Sequence, residues 1–531
     1  MSSERERVYA LLDSIVANAE EARTVLDSVL LVPKPEPATD VITVAVGQSV
    51  QAAYNSLLTT GGVIKLAPGR HVGELKLGAR PEGCKLITVT SDSENLPGPG
   101  QRISPEYAEA LGTIVSTRTT TAPLRCENQS RNVAFVNVGV GPPATSSYSI
   151  IDMGGDRRGM LTPADRPDSF TFDRCYLYGD PVTGARRGLQ CNASNVTLIN
   201  SYIKDCIQVG RDAQAVGAWN GAQNILLKNN HLEGGAENIM FGGSDCASIE
   251  MIPQDIVIEE CLLTKVYNDA WKAASIKCLF EVKNVKRLRM TRCLLEQNWR
   301  RDWATGVAVM LKCANQEGSN PYATCEDVTL ENLVLRNVGS VFGIIGKNDA
   351  GQPSDWMRRV IIRNVLAYNI NVAPWLGTGR GCELANGAEE GFTLDHITMH
   401  TNGHSWMNTR FDSGLTRSPG ALTVTNSMLA ESSYGYLSEK NGIGFTALAA
   451  DWNGSTVAGN VWKLGSRGQG TLPPDNLRLT PAAWESSIGA DHLVIPGSPA
   501  DAVVTTDGHL PGANVEALPT VYAEREDDIF V

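Results

Sequence analysis

Nothing in the 531-residue chain reaches eighteen consecutive apolar residues, so no segment reads as a membrane-spanning helix. Basic residues are in the minority. Lys and Arg number 46 against 58 Asp and Glu, a net charge of −12, which argues against a nucleic-acid-binding surface. The opening MSSERERVYALL lacks the cationic start, apolar middle and small-residue cleavage site of a secretory leader. The chain is therefore expected to be made in the cytoplasm, with its twelve cysteines as thiols. Cys-x-x-Cys is absent, and so is any Cys–His zinc spacing. His396, His400 and His404 lie close in sequence but make no zinc site without a further ligand, so neither metal nor cofactor is expected. Helical stripes at 3.6-residue spacing are missing from the body of the chain.

What is there instead is one short pattern, repeated: apolar, any, apolar, four of any kind, apolar. It begins at Phe170, Val196, Ile225, Ile256, Leu288, Val328, Val360, Phe392 and Leu422, at intervals of 26, 29, 31, 32, 40, 32, 32 and 30 residues. Alternation at the first and third slots makes each unit a strand with one buried face. A repeat near thirty residues signals a solenoid. Short apolar runs such as GLQC, AVGAW, NIMF, CLFEV, VAVML and VFGII follow the units, so each coil is expected to hold about three strands. Coils stacked at ~4.8 Å make a right-handed parallel β-helix, ten or so coils and ~50 Å long. The fifth slot is often Asn (Asn200, Asn229, Asn332, Asn364, Asn426), which predicts a ladder of stacked amides. Cys175, Cys261 and Cys293 share the sixth slot and read as small buried hydrophobes.

Before the repeats, Val8, Leu12, Ile15, Ala19, Ala22, Leu26 and Val29 alternate four and three apart, a coiled-coil seam. Residues 1–31 are thus predicted to be an oligomerising α-helix. The pattern favours a dimer in isolation; three rods packed side by side would set a trimer. A Pro-rich linker spans 32–41, the β-helix 42–465, and a cap or tail 466–531. Within 42–77 the order is strand, short helix, strands, the helix closing the open end of the rod. Residues 92–125 read as a long loop over one side.

GGVIKLAPGRH, NNHLEGGAENIMFGG, CLFEVKNVKRLRMTRCLLEQNW, GVAVMLK, VTLENLVLRNVG and SPADAVVTTDGHLPGANVEAL together resemble the right-handed β-helix proteins of the pectate-lyase-like superfamily, across roughly residues 42–515. That superfamily includes lyases, glycoside hydrolases, esterases and non-catalytic binders, so the resemblance is specific for fold alone. Residues 1–40 have no counterpart in it. An oligomerising helix in place of a leader resembles phage tailspikes and tail fibres. The resemblance implies a homo-oligomer on a virion tail or baseplate that recognises host surface polysaccharide, with a depolymerase activity, glycoside hydrolase or lyase, among the roles it allows. A bacterial polysaccharide lyase or glycoside hydrolase without a virion is the alternative.

Sugar recognition needs aromatic planes, acids and Arg. Trp271, Trp299, Trp303, Trp356, Trp375 and Trp406 lie in connections between strands. The substrate-binding candidates are Trp271, Trp299, Trp303, Asp269 and Arg301. Asp212, Glu237 and Asp302 recur at similar places after the repeat and are the catalytic candidates. In register, Asp212 and Glu237 would be ~5 Å apart, and Glu237 and Asp302 ~10 Å. A lyase would need a base, for which Arg300, Arg301 and Lys272 are at hand.

Overall fold

The computed structural model describes residues 40–519 apart from 147, 156–158, 303, 348–351, 402, 412–418, 453 and 515–516. The predicted oligomerising helix lies outside the described residues. The nine repeat starts form one vertical column of parallel pairs. Phe170 lies opposite Val196, and the series continues through Ile225, Ile256, Leu288, Val328, Val360, Phe392 and Leu422. Their first- and third-slot side chains are at most 1% exposed. Each such Val, Leu, Ile or Phe contributes about 1.5–3 kcal/mol by leaving water. Phe135 and Phe172 stack nearly parallel, ring centroids 5.3 Å apart, one coil above the other.

Two sheets build the rod. A 25-stranded sheet carries the repeat units. A 13-stranded sheet carries the shorter runs, among them Arg187–Cys191, Gln214–Ala218, Glu237–Phe241, Phe280–Val282, Val307–Lys312 and Ser340–Ile345. Its strands pair in parallel up to the last, Gly442–Ile443, which is antiparallel. Parallel strands joined coil after coil in one sense make a right-handed parallel β-helix.

The bends explain the asparagines. Asn200, Asn229, Asn332, Asn364 and Asn426 all hold left-handed backbone, with φ between 50° and 56°. Asn tolerates this region better than other non-glycine residues. Arg174, Glu260, Arg292 and His396 occupy the same slot with φ of 51–55°. The amide ladder forms in short steps. Asn229 Nδ2 donates to Asn200 Oδ1 at 2.8 Å, and Asn364 Nδ2 to Asn332 Oδ1 at 2.8 Å. Below and above, Asp173 and Asp395 accept from Asn200 and Asn426. A second left-handed bend immediately precedes the repeat, at Asn195, Asn224, Asp255, Arg287, Asp327 and Arg359. The sixth slot faces inward. There the amide of Cys175 bonds Ser201 Oγ (2.9 Å), that of Ser201 bonds Asn230 Oδ1 (2.9 Å), and that of Cys261 reaches Cys293 Sγ (3.4 Å).

Both ends are closed. At one, the helix Val50–Ser56, capped by Ser49, buries Val50, Ala53 and Tyr54 against the first coil. At the other, the helix Phe445–Asp451 packs beneath Trp406 and Trp462, whose ring centroids are 5.1 Å apart. Two straps run along the outside over the fifth-slot bends. Arg102 donates to the carbonyl and side chain of Asn229, and the Ile103 amide to the Asn200 carbonyl. From the C-terminal side, Thr506 and Asn514 donate to the side chains of Asn426 and Asn364. Residues 92–125 are not all loop: Gly112–Val115 and Leu124–Cys126 join the two sheets. Their short apolar runs are hidden among polar neighbours. Among the described residues no helix is long and apolar enough to cross a membrane.

Candidate functional site

The outer face of the 13-stranded sheet carries a cluster of buried charge. Phe280 and Val282 point into the rod, so Glu281 between them points out. Glu237 starts the strand of the adjacent coil, Gln214 is its register partner one coil farther, and Gln214 Nε2 donates to Glu237 Oε2 at 2.7 Å. Oxygens of Glu237 and Glu281 and the Cys278 sulfur all lie within 4.8 Å of one another. Glu237 is wholly buried and Glu281 is 7% exposed. Two lysines answer them. Lys277 bonds the Asp212 carboxylate and stands 3.6 Å from Glu237 Oε1, while Lys283 stands 3.4 Å from Glu281 Oε2. Farther along the face, Gln190 donates to Asp152 (2.8 Å), and the Arg187 guanidinium lies 4.7 Å over the Trp219 ring.

Long connections leave the strand ends around this cluster: 242–253 and 313–324 on one side, 265–279 and 299–306 on the other. The 40-residue interval between Leu288 and Val328, the longest in the repeat, holds two of them. The acids therefore lie on strands flanked by these connections.

Burial, then the neighbouring Glu281 and Asp212, push the Glu237 carboxyl up to about 8, so it keeps its proton at neutral pH. For Lys277 burial works the other way, but Glu237 and Asp212 outweigh it and raise the ammonium to about 12. Burial opposes the Lys283 charge as well, and Glu281 and Glu237 again win, leaving it raised. Burial lifts Asp152 to about 6 and lowers Arg187 to about 10.

Glu237, Cys278 and Glu281 also have the donor count of a metal set. They fit one poorly. The oxygens that accept no hydrogen bond, Glu237 Oε1 and Glu281 Oε2, already face ammonium groups. Burial pushes the Cys278 thiol well up, away from the thiolate a metal needs.

Of the residues expected from sequence, the structure brings together Asp212 and Glu237, through Lys277. Asp302 does not join them; its carboxylate is 70% exposed and pairs with Arg301 at 3.5 Å. Asp269 is fully exposed at the start of the helix Asp269–Ala273, 3.9 Å from Lys272. Arg301 donates to the Lys272 carbonyl. The tryptophans turn inward, contrary to the open faces expected of them. Trp271 (1% exposed) and Trp299 (6%) pack with Ile207 and Trp375, and Trp356 and Trp406 are buried too. Trp303 lies outside the described residues. Sequence reasoning missed Glu281, Lys277 and Lys283. The available signal was an acid in the middle of the apolar run CLFEV, where a charge is costly unless paired.

No family model matches the chain, and no curated protein matches it in sequence. Solved structures similar to it include the catalytic domain of a GH87 α-1,3-glucanase, at 12% identity over 80% of this chain and 69% of that one, TM-score 0.46. A mannuronic acid-specific polysaccharide family 6 lyase from human gut microbiota is similar at 12% identity over 83% and 91%, TM-score 0.43. The Dettilon tailspike protein is similar at 10% identity over 83% and 68%, TM-score 0.40. Identities this low carry no activity from any of them to this chain.

Proposed function

We propose that this chain binds a polysaccharide over the loop-walled face of the 13-stranded sheet and cleaves it by hydrolysis. The observation that carries the reading is the buried pair Glu237 and Glu281, one acid holding its proton at neutral pH. Glu237 acts as general acid, protonating the glycosidic oxygen of the leaving sugar. Glu281, paired with Lys283, is the carboxylate that attacks the anomeric carbon. The close approach of the two acids belongs with the ~5 Å separation of retaining enzymes rather than the wider inverting spacing. Asp212 and Lys277 position the Glu237 carboxyl. Lys277, held at about 12, is a poor base at neutral pH, which favours hydrolysis over a lyase reaction that uses this lysine.

The test is a reducing-end assay on bacterial surface polysaccharides with the wild-type chain, Glu237→Gln and Glu281→Gln. New reducing ends that both variants abolish support the reading. Cleavage that survives in both, or an unsaturated product absorbing in the ultraviolet, overturns it.

The heptad pattern in residues 6–31 supports a further part of the proposal: the chain is a homo-oligomeric tailspike or tail fibre that attaches to a virion tail or baseplate and meets host glycan with the rod, three rods packed side by side setting a trimer where the helix alone favours a dimer. Deleting residues 1–40 should then abolish oligomerisation and particle attachment while leaving the melting temperature of the rod unchanged. A monomeric full-length chain would overturn this part.

A further inference from the structure

Beside the acids lies a cavity of about 380 Å³ whose walls come from segments 182–183, 207–211 and 270–274. Two bonds tie its walls to the segments that carry the charged cluster. The Ser275 amide bonds the Gln208 carbonyl at 2.9 Å, and Asp212, next in sequence to the lining residue Arg211, bonds Lys277. Its chemistry is mixed. Val182 and Val209 line it while 76% and 74% exposed, unusual for side chains of this size, and Ile207 and Ala274 add apolar wall. Gln208, 7% exposed, donates its amide to the Ser146 carbonyl, but its own Oε1 accepts no hydrogen bond. A buried amide oxygen without a donor costs free energy that a ligand N–H would recover. Arg211 supplies a charged donor at the rim.

We infer that this cavity receives the acetamido group of an N-acetylhexosamine in the polysaccharide. An acetamido group offers the three features the cavity asks for: a methyl for the valines and Ile207, an N–H for Gln208 Oε1, and a carbonyl for Arg211. A plain hydroxyl at the same carbon fills none of the apolar wall. The inference rests on the proposed glycan face but not on cleavage, because binding is measured without turnover.

Ligand-observed saturation-transfer NMR with methyl N-acetyl-β-glucosaminide and methyl β-glucoside tests it on the full-length chain. The N-acetyl sugar should bind about tenfold more tightly, its acetyl methyl receiving the strongest transfer. Gln208→Leu, close in shape but without the acceptor, should weaken it about tenfold. Val209→Asp should abolish it, with thermal melts confirming both variants folded. Equal binding of the two sugars, no detectable binding of either, or binding unchanged in both folded variants overturns the assignment. Selective binding without polymer cleavage would leave this site standing and remove the hydrolase. Cleavage that ignores the N-acetyl group would do the reverse.

Discussion

The Lys277 ammonium stands 3.6 Å from the Glu237 carboxyl. Its charge lowers the Glu237 pKa, while burial and two acids raise it to about 8. A general acid must be protonated, so the rate of polysaccharide cleavage should hold up to about pH 8 and fall above it. Lys277→Met removes the lowering influence, and the basic limb should move to higher pH. Glu237→Gln should cost about 10²–10⁴ in rate across the whole range, the usual worth of general acid catalysis. A pH–rate profile with no basic limb near 8, or one unmoved in Lys277→Met, would count against Glu237 as the acid.

The same proton has a consequence for stability. Glu237 titrates at an ordinary 4.5 when unfolded and about 8 when folded. Between these values the folded chain holds a proton that the unfolded chain has lost, so this group favours folding below 4.5 and loses that contribution as pH rises through 8. Glu237→Gln removes the dependence. Its melting temperature relative to wild type should therefore rise from pH 5 to pH 9. A constant difference over that span would show that Glu237 is ionised in the fold.

The rod was legible because its signal is redundant: nine units each place apolar residues at three fixed slots, and a misread residue in one is outvoted by the others. The site has no such redundancy. Glu281 and Lys277 occur once each, Glu281 on the strand Phe280–Val282, where alternation is too brief to show, and Lys277 in the connection before it. The tryptophans misled for a physical reason. Sequence places Trp271 and Trp299 outside the strands, but connections on a solenoid can fold into small cores of their own, as these do with Ile207 and Trp375. The left-handed bends were half visible. Asn marked the fifth slot, while the bend before each repeat uses Asn195, Asp255, Arg287 and Arg359 and leaves no single-letter trace.

Those bends can be weighed individually. Asn229 has φ of 53° and donates to Asn200. Alanine meets a penalty of about 1–2 kcal/mol in left-handed backbone, and glycine meets almost none. Asn229→Ala should destabilise the rod by at least that amount in urea unfolding, and more than Asn229→Gly does. An equal loss in the two variants, both of which lack the amide, would mean that the ladder, not the backbone, explains the asparagine.

The C-terminal strap should respond to pH at His396. One ring nitrogen meets Asp507 Oδ2 at 2.7 Å and the other the Gly512 carbonyl at 2.8 Å. Burial disfavours the imidazolium, but Asp507, Asp395 and Gly512 outweigh it, and the net shift is upward from 6.5. The clamp's contribution is therefore full below 6.5 and fades as pH rises through the raised value. Asp507 is shifted the other way. Burial would raise it, the bond from His396 wins, and its contribution fades as pH falls below its ordinary 3.8. Hydrogen-exchange protection of residues 505–514, taken relative to the intrinsic amide rate at each pH, should be greatest in mildly acidic buffer and smaller on the basic side. In His396→Gln that basic-side loss of protection should vanish.

Lys265 tests the interior of the rod. It is wholly buried, and its ammonium donates to the carbonyls of Gly234 (2.6 Å), Gly235 (2.7 Å) and Cys278 (3.0 Å) and to Asn238 Oδ1 (3.1 Å). These acceptors sit where the chain leaves the repeat strand for the coil bearing Glu237, so the lysine ties the backbone under the acid pair. Burial pulls its pKa down to about 7, while four oxygens at bonding distance call for the three protons of the charged form. Lys265→Met keeps the length and removes every donor. Several buried carbonyls then lose their partner at about 1–3 kcal/mol each, so the loss should reach about 3 kcal/mol or more in denaturant unfolding. Because the Cys278 amide bonds the Ala236 carbonyl and the Glu237 amide the Ala213 carbonyl, beside these acceptors, cleavage should fall with stability even where the variant remains folded. A stable Lys265→Met chain with full activity would show that water can take the lysine's place.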